Sequence, residues 1–70
     1  MMKMKGKLYT YNNSGDDYFV MEDNAKMKIS HLQGAPWVRA VIYQNNTGEI
    51  FVREYNDFVQ KFDAAKDEDK

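Results

Sequence analysis

The 70-residue sequence contains no cysteine. Disulfide bridges, thiolate metal sites and thiol redox chemistry are therefore excluded. One proline and four scattered glycines leave no flexible linker and no glycine-rich loop that would cradle a phosphate. The apolar runs fall far short of the roughly 18 residues that a membrane-spanning helix needs, and the lysine-rich start lacks the apolar stretch of a signal peptide. These features predict a cytoplasmic protein without a membrane partner.

Neither sign of charge dominates the chain. Ten basic and 11 acidic residues give a formal net charge of −1. A dedicated nucleic-acid binder is usually clearly basic, because neutralising phosphates supplies most of its affinity. The balance therefore disfavours such a function, although a local basic patch would be enough for it.

The residues of catalysis are also scarce. His31 is the only histidine, and its neighbour Ser30 points away from it on an extended chain, so the two do not form a catalytic pair. The acidic doublets Asp16-Asp17 and Glu22-Asp23 match no calcium-loop spacing and are typical of turns. We expect no enzyme, no metal site and no cofactor.

The clearest structural pattern lies between residues 37 and 53. Two segments rich in β-branched and aromatic residues, Trp37–Gln44 and Glu49–Arg53, flank the sequence Asn45-Asn46-Thr47-Gly48. Gly48 suits the positive φ that ends a three-residue hairpin loop. The resulting register pairs Asn45 with Glu49, Tyr43 with Phe51, and Ile42 with Val52.

The remaining elements are shorter. Three further strands are predicted at residues 8–11, 17–22 and 25–29, with a loop at residues 30–36. After Arg53 the apolar spacing changes to that of a helix, whose core-facing residues are Tyr55, Phe58, Val59 and Phe62.

Together these elements predict one mainly β domain. About five short strands and one short C-terminal helix in 70 residues favour a small, SH3-like, bent antiparallel sheet or barrel. The domain is expected to span residues 1–62, and the acidic residues 63–70 are expected to fray.

Part of this pattern resembles a known family. Val41-Ile42-Tyr43-Gln44, then Gly48 to Arg53, then Phe58, are similar to the motif of the small bacterial and phage proteins catalogued as domain of unknown function 1653. The match covers residues 38–62. It departs where Phe51 replaces the usual tryptophan and Glu54 the usual proline. The resemblance implies an SH3-like barrel and a phage accessory gene, and it implies no activity.

The candidate binding site is one side of the predicted hairpin. Both sides are apolar, so burying one leaves the other to be covered by the helix, by the loop or by a partner. The side richer in aromatic and arginine residues is the candidate: Trp37, Arg39, Tyr43, Phe51 and Arg53. Such residues dominate protein-binding hot spots and also stack on bases. Three interpretations stay open: a covered core face, a host-protein partner, or a nucleic acid or nucleotide.

Overall fold

The computed structural model describes residues 3–28, 34 and 36–65, in which five strands form one antiparallel sheet. The elements are β1 (Leu8–Tyr11), β2 (Asp17–Lys28), β3 (Trp37–Gln44), β4 (Ile50–Glu54), α1 (Tyr55–Lys61) and β5 (Phe62–Ala64). The strand order is β4-β3-β2-β1-β5, so the last strand returns to lie beside the first. The predicted fold class is confirmed: the protein is mainly β, with five antiparallel strands in one sheet and one short helix, which is consistent with the predicted small sheet or barrel.

The β3–β4 hairpin has the predicted register. Tyr43 lies opposite Phe51 and Ile42 opposite Val52, and the backbone N–H of Asn45 donates to the carbonyl of Glu49 at 3.1 Å. Gly48 has φ of +91°, as the loop requires. The Asn45 side-chain oxygen accepts hydrogen bonds from the backbone N–H groups of Thr47 and Glu49, so one residue holds the whole loop.

The prediction of two strands at residues 17–22 and 25–29 is wrong, because the structure has one strand from Asp17 to Lys28. The pairing of β2 with β3 shifts between Val20 and Glu22 and again between Glu22 and Ala25. Such bulges bend a strand without ending it. Because β2 is one continuous strand, its first residues pair with β1 and the rest of its length pairs with β3. Ile29 and most of the predicted loop, including Ser30 and His31, lie outside the described residues.

The folded part of the chain also extends further toward the C-terminus than predicted. Phe62 ends α1, where its backbone N–H donates to the Phe58 carbonyl, and it then begins β5 opposite Tyr11. Asp63 and Ala64 are paired with β1, and the N–H of Ala65 donates to the Leu8 carbonyl. The folded part therefore passes the predicted limit at residue 62, and the helix is not C-terminal. Residues 66–70 lie outside the described part of the chain.

The core collects aromatic rings from almost every element. The Phe58 and Phe62 rings stack with centroids 4.1 Å apart, and Phe58 also meets the edges of Tyr9 and Tyr43. Because α1 is only seven residues long, its stability depends on this packing. The core consists of Met4, Tyr9, Val20, Val41, Tyr43, Phe58 and Phe62.

Candidate binding site

The two sides of the hairpin have opposite environments. Residues directly opposite one another on paired strands share a face. On the core face, Val41 is fully buried and Tyr43 is 4% exposed. On the outer face, Ile50 and Val52 are 59% and 54% exposed, although Ala40 on the same face is fully buried. The predicted candidate residues lie on the face that the core covers, and the aliphatic side remains exposed.

The five candidate residues consequently fall into three separate places. Tyr43, Phe51 and Arg53 lie together beside the core. Arg39 packs on Tyr55, with its guanidinium carbon 3.8 Å from the ring centroid. Trp37 lies at the start of β3 and is 61% exposed, and the Lys28 ammonium group lies 5.4 Å from its ring centroid.

Beside the core, aromatic side chains surround a cavity of about 110 Å³, which we call the aromatic cup. Tyr43 and Phe62 are almost fully buried and form its floor, while Phe51 is 37% exposed at its rim. The Phe51 ring stacks on Tyr43 with centroids 5.5 Å apart, and Tyr18 meets both rings edge-on. The described residues that line it are Tyr11, Tyr18, Tyr43, Phe51, Arg53 and Phe62.

Among the residues that the structure describes, Arg53 is the only charged one in the lining of the cup. Its Nε donates to the Tyr43 hydroxyl at 3.0 Å, and its Nη1 donates to the Asp57 carboxylate at 2.7 Å. These two bonds, the one to Tyr43 first, raise the pKa of Arg53 above its ordinary value. The guanidinium carbon lies 5.4 Å and 5.7 Å from the ring centroids of Phe62 and Tyr11. The cation is therefore held in place, and Asp57, which also pairs with Lys61, offsets part of its charge.

Arg39 is held by a different network. Its Nε donates to the Asp23 carbonyl at 2.7 Å, while the Asp23 carboxylate accepts bonds from the backbone N–H groups of Met4 and Lys5. Burial acts to raise the pKa of Asp23, but those two hydrogen bonds and the charge of Arg39 together lower it below its ordinary value. The network ties the N-terminal segment to β2 and gives Arg39 a structural role.

Sequence reasoning missed half of the cup. Tyr11, Tyr18 and Phe62 come from the end of β1, the start of β2 and β5. Tyr11 and Phe62 meet only because β5 pairs with β1, a contact between residues 51 positions apart that no local pattern reveals. The available signal was the spacing of Tyr9 and Tyr11, which places both rings on one face of β1.

A second exposed feature crosses four strands on the outer face. Leu8 lies opposite Phe19, Phe19 opposite Gln44, and Gln44 opposite Ile50. Three of the four are apolar and well exposed, at 42% for Leu8, 39% for Phe19 and 59% for Ile50. A shallow depression of about 580 Å³ lies beside this row, where the β1–β2 turn and the β3–β4 loop contribute Asp16, Asp17, Asn45 and Asn46.

Other kinds of site find no support in the residues that the structure describes. Among residues 3–28, 34 and 36–65, no three histidine, aspartate or glutamate side chains converge in a way that would hold a metal ion. The helix found in those residues is too short and too polar to cross a membrane. Comparison with known proteins found no matching family model, no matching curated protein and no matching solved structure.

Proposed function

We propose that this protein is a non-enzymatic binding module whose aromatic cup receives a single apolar side chain of a partner protein. The observation that carries the proposal is the form of the cup, with a buried aromatic floor and a half-exposed aromatic rim. A pocket that is already lined and rigid gives an anchor side chain a large desolvated contact at little ordering cost.

The size of the cup favours a side chain over a small molecule. Pockets for small ligands and cofactors usually hold about 300 Å³ or more. The cup holds about 110 Å³. A nucleotide is too large for it, whereas one aliphatic or aromatic side chain projecting from a protein surface is of a suitable size.

The contacts that the arginines already make also favour a protein side chain over a phosphate-bearing ligand. Phosphate recognition needs a guanidinium with free donors and uncompensated charge. Arg53 is already paired with Asp57, and Arg39 already donates to a backbone carbonyl and covers Tyr55. Arg53 therefore has less capacity to bind a phosphate backbone, and Arg39 does not line the cup.

The partner that we propose is a host protein, which suits the resemblance of residues 38–62 to a family of small bacterial and phage proteins and the near-neutral charge of the chain. A cytoplasmic location belongs to the same proposal.

Selection and mutation test the cup directly. Peptides selected from a displayed random library against the immobilised protein would be measured by isothermal calorimetry against the wild type, F51A and V59A. Val59, which was predicted to face the core, is instead 42% exposed on the outside of α1, so it serves as a matched apolar control. We expect F51A to raise Kd at least about tenfold and V59A to change it by less than about twofold. Y18A is measured as a second variant of the cup. Selected peptides that bind wild type, F51A and Y18A with the same affinity would contradict the proposal.

One observation favours a nucleic acid or nucleotide as the second candidate. The Arg53 guanidinium lies close to the rings of Tyr11 and Phe62, and arginine beside aromatic rings is also found where bases stack. NMR titration with short oligonucleotides and with nucleotides at low salt distinguishes the two candidates. Shifts at the amides of Arg39, Tyr43 and Arg53 that vanish at high salt would favour nucleic acid.

A further inference from the structure

Strand β4 forms an open edge of the sheet. It is the terminal strand in the order β4-β3-β2-β1-β5, so within the described residues only β3 pairs with it. Natural edge strands are usually protected by charged side chains, above all lysine, by proline or by a bulge. The strand Ile50–Glu54 has no lysine, proline or bulge, and its two charged residues, Arg53 and Glu54, lie at one end, while Ile50, Phe51 and Val52 are 59%, 37% and 54% exposed. This edge is suited to pairing with another strand.

The register shows which backbone groups are available. Asn45 and Glu49 form a hydrogen-bonded pair at the turn. Hydrogen-bonded and non-bonded pairs alternate along an antiparallel ladder, so Phe51 and Arg53 bond to β3 and the residues between them do not. The N–H and C=O groups of Ile50 and Val52 therefore point away from β3, toward the free edge.

We propose that a second copy of this chain pairs antiparallel with β4, with the twofold axis at Val52. In this register all five residues of the strand overlap, and Val52 exchanges two backbone hydrogen bonds with its own counterpart. Ile50 lies opposite Glu54 of the second copy, and Phe51 lies opposite Arg53. The two five-stranded sheets then form one continuous sheet across the dimer axis.

Self-complementarity is the reason for choosing a second copy as the occupant. No like charges face each other in this register, because each Arg53 meets a Phe51 ring and each Glu54 meets an isoleucine. On the outer face, Ile50 and Val52 of the two copies form one aliphatic cluster that removes the most exposed apolar surface of β4 from water. An isologous contact of this kind closes as a dimer and does not propagate.

Sedimentation equilibrium over a wide concentration range tests the proposal. We expect the wild type to dimerise and V52K to raise the dimer dissociation constant at least about tenfold, since two lysines would face each other on the axis. V59K is the matched control, because it adds the same charge at an exposed valine of α1, and it should change the constant by less than about twofold. A wild type that stays monomeric throughout, or a dimer that V52K leaves intact, would overturn the proposal.

Hydrogen exchange of the wild type gives a test that needs no mutation. In the monomer the amides of Phe51 and Arg53 should be protected, whereas those of Ile50 and Val52 should exchange rapidly. Raising the protein concentration should protect Ile50 and Val52 selectively. Exchange rates of Ile50 and Val52 that stay the same as the protein concentration rises would overturn the proposal. Because Val52 lies on the face opposite the cup, V52K should still bind a cup ligand, so this proposal and the proposed function fail independently.

Discussion

At the level of single residues, stability depends most on Phe58. It is fully buried, stacks on Phe62 and contacts two tyrosines of the sheet. Replacing a buried phenylalanine by alanine leaves a cavity and costs about 3–5 kcal/mol. We expect F58A to lower the free energy of unfolding by that amount in urea denaturation, while V59A at the neighbouring exposed position changes it by less than about 1 kcal/mol. Similar losses in the two variants would show that α1 does not pack as described.

Asp57 makes stability depend on pH. Hydrogen bonds from Arg53, first, and from Lys61 lower the pKa of its carboxyl below the ordinary value. A carboxyl whose pKa is lower in the folded state stabilises the fold above its unfolded pKa of about 3.9, and that contribution is lost as pH falls through the folded pKa. We therefore expect wild type to be more stable than D57N at pH 7, with the difference vanishing in strong acid.

Carboxyl-carbon NMR provides the direct measurement for Asp57. The midpoint of its titration should lie below the value of an unstructured peptide, and R53K should raise it toward that value because lysine does not reproduce the geometry of the guanidinium bond. A midpoint at or above the peptide value would contradict the described ion pair.

At the level of elements, the hairpin shows how much local sequence can predict. Its register follows from the position of Gly48 and from the capacity of the Asn45 side chain to hold the loop. The long β2 and the short β5 were not predictable in the same way. Polar residues from Glu22 to Asn24 are typical of a turn, but pairing with β3 on both sides of the bulges keeps this stretch in the sheet. Phe62 has the spacing of a helical residue and becomes a strand residue because Tyr11 pairs with it.

Gly48 offers a test of the hairpin. A Cβ at this position would meet no atom within 4 Å, so G48A carries a conformational cost and no steric clash. We expect a loss of about 1 kcal/mol or more, because alanine strongly disfavours positive φ. Thermal and urea denaturation measure this loss, and N46A in the same loop should stay within about 0.5 kcal/mol of wild type. A neutral G48A would mean that the loop has another conformation in solution.

At the level of the whole molecule, one core receives side chains from β1, β2, β3, α1 and β5, and Phe51 joins β4 to it by stacking on Tyr43. With one core, the protein should unfold as one cooperative unit. Far-ultraviolet circular dichroism, which follows the strands, and near-ultraviolet ellipticity of the tyrosines, which follows the core, should give coincident transitions. Trp37 fluorescence should change little on unfolding, because that ring is already 61% exposed. Separate transitions, or a large fluorescence change, would contradict this description.

Sequence by itself determined the class of the fold, the β3–β4 hairpin with its register, and the presence of two apolar sides on that hairpin, because these depend on neighbouring residues and on the alternation of a strand. Only the tertiary structure decided which side the core would cover. Phe58 and Phe62 from the C-terminal half and Tyr9 from the N-terminal half pack on the side that carries Tyr43. This packing buries Tyr43 and makes Arg53 part of the wall of the aromatic cup. Contacts between distant parts of the chain made that choice, and a local pattern carries no information about them.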